Sequence, residues 1–263
     1  MKLIQSSDNP FFKELAKLAT SSRNRKKSGK TLLDGAHLVA SYLDAGLKPL
    51  HILLNAAVSE DDEITAMLAR LEGVPVTQLD ERLFAQLSEL KTKTGILALI
   101  DVPVVECAAD NFVLLLEDIQ DPGNLGSMLR SAAAAGCDAV FLSQGCADAW
   151  SPKVLRAAMG GHFCIRIHEG QDLIRVAGKF HGMRLAASLQ AQQNLYECDL
   201  SGDVAFMIGN EGAGLSEALL ALATHVVRIP MPGSVESLNA AAAAAICLFE
   251  SVRQRLIKLR ISK

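Results

Sequence analysis

Apolar and polar positions along this chain alternate between two rhythms, one of period near 3.6 and one of short continuous runs, which predicts an α/β protein. From residue 9 to 20, Phe11, Phe12, Leu15 and Leu18 recur at the spacing of one helical face. The polar run 21–30 then breaks the pattern. Apolar runs at 31–33, 50–54, 74–78 and 95–100 read as strands, and the stretches 35–45, 60–71 and 80–87 as helices. Residues 102–111, with Pro103 and little periodicity, read as a linker. A second block follows with strands at 112–116, 139–142, 163–167, 183–187, 204–208 and 225–229. Its helices are expected at 123–135, 152–158, 172–179, 215–222 and 237–257. Near-continuous apolar strands between helices imply a parallel sheet covered on both faces.

A length of 263 residues suits two domains with ordinary cores, here 1–101 and 112–263. Half of the residues are apolar but only 5% are aromatic, so the interior must be built from Ala, Leu, Val and Ile in close contact. No run of 18 apolar residues marks a membrane span, and residues 1–8 lack the apolar core of a signal peptide, so a cytoplasmic location is expected. The six cysteines, at 107, 137, 146, 164, 198 and 247, form no C-x-x-C and no spacing that pairs with histidine, which points to buried thiols and implies no metal. Met159, Met207 and Met231 read as core.

Net charge is −3, yet basic residues cluster locally. Arg23, Arg25, Lys26, Lys27 and Lys30 form one group, and Arg253, Arg255, Lys258, Arg260 and Lys263 line the tail. A local patch binds phosphates even when the sum is acidic, and it serves equally as a solvated loop or helix end.

Three glycine-punctuated loops in the second block carry the candidate chemistry. They contain Asp121-Pro122-Gly123-Asn124-Leu125-Gly126 followed by Arg130, then Gly209-Asn210-Glu211-Gly212-Ala213-Gly214, then Ile229-Pro230-Met231-Pro232-Gly233 followed by Ser237-Leu238-Asn239. Each follows or embraces an apolar run and opens into an Ala- or Leu-rich stretch, the way an α/β domain builds a site at the carboxyl ends of its strands. In the first loop, Asp121 or Asn124 can cap the helix that Pro122 introduces. Arg130 lies one turn beyond Gly126 on the same helical face, placed either to grip a phosphate or to pair with Glu117 or Asp118. The second loop lacks the G-x-G-x-x-G spacing of a dinucleotide fingerprint and the Gly-Lys-Ser/Thr of a P-loop. Ser237 is a candidate N-cap for the final helix.

Taken together these motifs closely resemble the three signatures of the SpoU (TrmH-type) RNA ribose methyltransferases: Asn-x-Gly-x-x-x-Arg, Gly-x-Glu-Gly and Ile-Pro-Met-x-Gly…Ser-Leu-Asn. The resemblance covers residues 112–260 or so. It implies a SPOUT fold with a deep trefoil knot, against the usual rule of unthreaded connections. It also implies S-adenosylmethionine as cofactor, a homodimer, and 2′-O-methylation of RNA, with rRNA favoured over tRNA. Carried over by position, Asn124, Arg130, Glu211, Ser237 and Asn239 become the catalytic set. Leu189, Gly209, Asn210, Gly212, Ile229, Pro230, Ser237 and Leu238 become the cofactor set. Arginine stays protonated at neutral pH, so Arg130 would either be driven neutral to act as a base or stay charged and stabilise the developing alkoxide.

A weaker resemblance links the first block to the ribosomal-protein-like α/β sandwich that precedes many SpoU domains and binds their RNA. It rests on Ser7-Asp8-Asn9-Pro10, on Leu32-Leu33-Asp34-Gly35-Ala36-His37-Leu38-Val39 and on Thr94-Gly95-Ile96-Leu97-Ala98. The family often has Glu at the position of Asp34 and Pro-Gln at that of Lys93-Thr94. On this reading the Arg23–Lys30 cluster docks RNA. The rival reading is a non-catalytic RNA-binding or ribosome-assembly protein that kept the fold.

Overall fold

The computed structural model of the protein describes residues 1–57, 62–88, 95–105 and 110–261. Residues 60 and 61 of one expected helix, the Lys93-Thr94 pair, Cys107 and Lys263 lie outside the described residues. The chain divides into two units, Met1–Val104 with Trp150–Phe163 and Val105–Ala149 with Cys164–Lys263.

The first unit holds a five-stranded sheet of β1 (Lys2–Ile4), β2 (Lys30–Asp34), β3 (His51–Asn55), β4 (Val76–Leu79) and β5 (Ile96–Asp101) in the order β1-β4-β3-β5-β2. β1, β4 and β3 run parallel, whereas β5 is antiparallel to both β3 and β2. Period-two alternation sends Leu32, Leu53, Leu97 and Leu99 to one face. There they meet Phe12, Leu15 and Leu18 of α1 (Pro10–Thr20) and Leu83, Phe84 and Leu87 of α5 (Glu81–Leu87). Each such side chain, once buried, stabilises the fold by about 2 kcal/mol. Asn9 starts α1, its Oδ1 accepting from the amides of Phe11 at 3.0 Å and Phe12 at 3.3 Å.

The polar run 21–30 is helical where the pattern expected a break: α2 spans Ser22–Ser28. Ser21 caps its start and Gly29, at φ 65°, ends it in the left-handed region. Hydrophobic periodicity could not reveal this helix, because its buried residue is a cation. Arg25 is only 5% exposed and donates from Nη1 to the carbonyls of Leu18 at 2.5 Å and Ala19 at 3.2 Å. It satisfies the open carbonyls near the end of α1, so it leaves the phosphate-binding set. Arg23, Lys26 and Lys27 remain exposed and Lys30 is half-buried.

Helices α3 (Ala36–Asp44) and α4 (Asp62–Ala69) complete the unit together with α7 (Pro152–Ala158). The sequence pattern had assigned residues 150–163 to the second block. Instead Thr31 donates its hydroxyl to the Trp150 carbonyl at 2.8 Å, and Phe163 packs edge-on against Tyr42 at 5.1 Å. Gly160 approaches Ser41 so closely that a Cβ there would meet Ser41 Cβ at 2.7 Å. Asp34, buried, accepts from Ser88 Oγ at 2.8 Å, and its other oxygen lies 3.7 Å from Arg156. Met159, expected in the core, is 41% exposed and ends α7 at φ 49°.

The second unit is built on seven parallel strands: β6 (Phe112–Leu116), β7 (Ala139–Leu142), β8 (Arg166–His168), β9 (Met183–Ala187), β10 (Gln193–Asn194), β11 (Val204–Ile208) and β12 (His225–Arg228). Their order is β10-β12-β9-β11-β6-β7-β8. From β6 the chain steps outward through β7 to β8, then resumes beyond β11. The order therefore reverses between β6 and β9, a topological switch point of the kind that opens a crevice at the carboxyl ends. The central strands β6 and β11 are buried at every position. Val113, Leu115, Ala205 and Met207 face α8 (Leu173–Lys179) and α9 (Glu217–Leu220), through Leu173, Ala177 and Leu219.

Helix α6 (Pro122–Ala135) packs against α10 (Ala240–Ile261), which also contacts β11. Loop carbonyls and amides hold α10 in place. Gln254 accepts from the Leu200 amide at 2.7 Å and donates to the Cys198 carbonyl at 3.0 Å, and Ser251 Oγ donates to the Leu200 carbonyl at 2.8 Å. Arg255 donates to the Gly202 carbonyl at 2.7 Å and lies 4.3 Å above the Phe112 ring. Arg253 pairs with Glu250 at 2.7 Å. The tail cluster thus commits two of its arginines to its own fold.

Cys137, Cys198 and Cys247 are buried, Cys146 half-buried and Cys164 exposed. Burial pushes the Cys247 thiol up to about 12, which keeps it an inert thiol at neutral pH.

Candidate active site

Four loops leave the carboxyl ends of neighbouring parallel strands in the second unit: 117–121 after β6, 188–192 after β9, 209–216 after β11 and 229–239 after β12. A cleft of about 380 Å³ opens among the last three. Gly209, Asn210, Glu211 and Gly212 line it from one side, Ile229, Ser237 and Leu238 from another, and Leu189 from a third. Pro230 is not among the lining residues. The sequence reading missed Ser188, Gln190, Ala213, Val227 and Ala243, which also line it. Position just past a strand or on its last residues was the available signal for Ser188, Gln190 and Val227, whereas Ala213 lies inside the second glycine loop and Ala243 in the first turn of α10. Met231, read as core, is half-buried and lines the cleft as well.

The 209–216 loop folds on itself. Asn210 and Gly214 exchange both backbone hydrogen bonds, at 3.1 and 2.8 Å. Asn210 Oδ1 accepts from the amides of Gly212 at 2.9 Å and Ala213 at 3.1 Å, an Asx turn. Gly209 is required by space: a Cβ there would sit 2.2 Å from the carbonyl carbon of Gly214 and 2.4 Å from Leu215 N.

Three polar side chains, one from the first turn of α6 and two from the loops after β11 and β12, join into one chain. Asn124 donates through Nδ2 to Glu211 Oε1 at 2.5 Å, and its Oδ1 accepts from Asn239 Nδ2 at 2.9 Å. The bond to a carboxylate fixes which end of the Asn124 amide points where. Asp121, not Asn124, caps α6, accepting from the Asn124 amide at 2.7 Å, and so frees the Asn124 side chain for this bridge. Asn239, not Ser237, caps α10: its Oδ1 accepts from the amides of Ala241 at 2.9 Å and Ala242 at 3.2 Å. Ser237 is exposed and lines the cleft.

Arg130 is exposed on α6, about 9 Å along the helix axis from Asn124 at 1.5 Å per residue. It makes no hydrogen bond or ion pair among the described residues. Glu117 instead accepts from Ser216, at 2.7 Å from the amide and 2.8 Å from the hydroxyl, and Asp118 accepts from Ser143 at 2.6 Å. The guanidinium is therefore available to a ligand outside the cleft.

Among the described residues lining the cleft, Glu211 is the one charged side chain. The amides of Gly212, Ala213 and Gly214 are already spent within the loop. A phosphate would find no cation here, only the Glu211 carboxylate. Apolar walls, glycine backbone and one carboxylate suit a flat nucleoside that carries positive charge. Fold and cleft together define an α/β enzyme that binds a nucleoside cofactor at its strand ends, and S-adenosylmethionine, a sulfonium, fits that chemistry.

Comparison with known proteins gives the family. Residues 111–249 match the SpoU rRNA methylase family and residues 9–98 the MRM3-like substrate binding domain. The chain is 36% identical over 255 residues to the 23S rRNA (guanosine(2553)-2′-O)-methyltransferase RlmP of Bacillus subtilis, covering 95% of this chain and 98% of that one. A crystallised RNA 2′-O ribose methyltransferase superposes with a TM-score of 0.81 at 31% identity, covering 97% of this chain and 99% of the other. The AdoMet-bound rRNA methyltransferase of Sinorhizobium meliloti gives 0.81 at 27% identity, covering 96% and 97%. The chain belongs to the SpoU rRNA methylase family and is an S-adenosylmethionine-dependent RNA methyltransferase.

Proposed function

We propose that this chain methylates a ribose 2′-oxygen in ribosomal RNA, with Arg130, Asn124, Glu211, Ser237 and Asn239 serving the reaction. The observation that carries this reading is the convergence of all three motif loops. The second and third line one cleft without a cationic side chain, and the first joins them through the Asn239–Asn124–Glu211 chain. Bound S-adenosylmethionine supplies an electrophilic methyl group with a good leaving group, which leaves the protein two tasks, alignment and removal of the hydroxyl proton. Leu189, Ile229 and Leu238 cover the nucleoside, with Pro230 stiffening the strand exit. The Asn124 bridge fixes Glu211 and Asn239 relative to each other. Arg130 holds the RNA side. The test is transfer of labelled methyl groups to undermodified rRNA and tRNA of the same organism. Label at one rRNA ribose is expected. Label in tRNA alone overturns the rRNA assignment, and no transfer by a cofactor-binding protein favours the non-catalytic rival.

RNA docking falls to the first unit, residues 1–101 by the sequence division, whose match to a substrate-binding family supports it. Arg23, Lys26 and Lys27 supply phosphate contacts. Replacing all three by Gln should flatten the plot of log affinity against log salt by about two, since fewer counterions are released. Arg25→Ala should instead leave that slope unchanged and lower stability by about 2 kcal/mol, the weight of a lost charged hydrogen bond. An unchanged slope in the triple variant, by fluorescence anisotropy, would show the cluster to be a solvated helix face.

The working unit we propose is a homodimer. Phe249, Leu256 and Leu259 are 46%, 54% and 61% exposed on one face of α10, more apolar surface than an isolated helix end leaves to water. Leu248 on the same helix is buried inside its own chain. Light scattering at micromolar concentration should give twice 28.1 kDa; a fully active species at the single-chain mass refutes the dimer. The trefoil knot and a cytoplasmic location belong to the same proposal. For the knot, support comes from β11 lying between β9 and β6 while α10 returns over α6. For the location, no helix among the described residues is long and apolar enough to cross a membrane.

A further inference from the structure

Glu117 and Asp118, which follow β6, stay out of the cleft yet hold the loop that lines it. Glu117 takes one end, through the amide and hydroxyl of Ser216. Asp118 takes the other: its backbone carbonyl accepts from Asn210 Nδ2 at 3.0 Å. Asn210 in turn accepts from the two amides that shape the loop. For its carbonyl to point there, Asp118 adopts φ 53°, one of only two described non-glycine residues with positive φ. L-residues avoid that region, and where one occupies it the surroundings must hold it there.

The surroundings do so by a closed ring. The Asp118 amide donates to Ser143 Oγ at 2.9 Å, and the same hydroxyl donates back to Asp118 Oδ1 at 2.6 Å. Ser143 is fixed by its own amide, which donates to the Leu116 carbonyl at 3.0 Å. A separate observation points the same way. Gly145 does not need its backbone freedom, but a Cβ there would lie 2.2 Å from Asp118 Oδ1 and 2.6 Å from its carboxyl carbon. The chain keeps residue 145 bare where the Asp118 carboxylate lies.

We propose that Asp118, locked by Ser143 and the space above Gly145, is a positioning residue. It sets the Asn210 side chain, and through it the shape of the loop that receives the cofactor's nucleoside. The inference rests on the cleft being the S-adenosylmethionine site, so wild-type binding is measured first by calorimetry; its absence overturns that assignment and not the lock. Given binding, Asp118→Gly removes the carboxylate but favours the left-handed backbone, so thermal stability should hold. Cofactor affinity should nonetheless fall about tenfold, the weight of one charged hydrogen bond, with KM for the cofactor raised and kcat nearly kept. Asp118→Asn keeps an acceptor oxygen and a residue that tolerates positive φ, and should restore most of the affinity. Ser143→Ala opens the ring from the other side and should weaken affinity several-fold, which decides the matter if the glycine variant fails to fold. Affinity unchanged in Ser143→Ala and Asp118→Gly, or a loss of melting temperature without loss of affinity, overturns the proposal. So does an asparagine variant as weak as the glycine one.

Discussion

Arg130→Ala is expected to lower methyl transfer by at least about a hundredfold, the low end of what a positioned proton-handling group contributes. S-adenosylmethionine should still bind within about twofold of wild type, since loss of a surface contact away from the cofactor changes little. The split follows from geometry. Arg130 is exposed on α6 and outside the residues lining the cleft, and neither acid that the sequence offered as its partner holds it. A guanidinium presented in this way can meet a phosphate or a developing alkoxide through two parallel N–H groups. Arg130→Lys keeps the charge but loses that planar fork, so it should recover little of the rate. A lysine variant near full rate would show that charge alone suffices. An alanine variant that lost cofactor affinity in proportion to rate would move Arg130 to the cofactor side.

The other large effect is expected at Gly209. A Cβ there would press on backbone atoms, the carbonyl of Gly214 and the amide nitrogen of Leu215, at 2.2 to 2.4 Å, and backbone cannot swing aside as a side chain can. Even Gly209→Ala must open the Asn210–Gly214 pair. The cost is about 3 kcal/mol, at the upper end of overpacking in a tight site, or about a hundredfold in cofactor affinity, with some loss of melting temperature. Gly212 sits in the same loop with room for a side chain: its Cβ would meet Asn210 Oδ1 at 3.5 Å, ordinary contact. Gly212→Val should therefore fold normally and weaken cofactor binding only about tenfold, by narrowing the cleft. Calorimetry and thermal melts on the pair read the difference. Wild-type affinity in Gly209→Ala would mean that the loop is not rigid and that its shape does not set binding.

Much of the fold is legible in the chain because it depends on neighbours in sequence. The run Phe112–Leu116 is a strand and Val204–Ile208 is another, each buried throughout, as uninterrupted apolar runs between helices require. Asp121 and Pro122 start α6 by local capping chemistry. What failed was equally local. β1 and β10, of three and two residues, are too short to carry a period. Helix α2 hides its buried residue as an arginine.

By itself, then, the sequence determined the alternation of strands and helices, the three glycine loops and through them the family. These are properties of short stretches, where side-chain spacing acts directly on the backbone. Only the tertiary structure decided which polar groups meet. Asn124 and Glu211 are 87 residues apart, Asp118 and Asn210 92, Glu117 and Ser216 99, and Asn124 and Asn239 115. It also decided that Asn239 rather than Ser237 caps α10, that Arg25 closes a helix end, and that residues 150–163 pack with the first unit. A hydrogen bond is satisfied by whatever donor the fold brings within 3 Å or so, and no pattern along the chain records which one that will be.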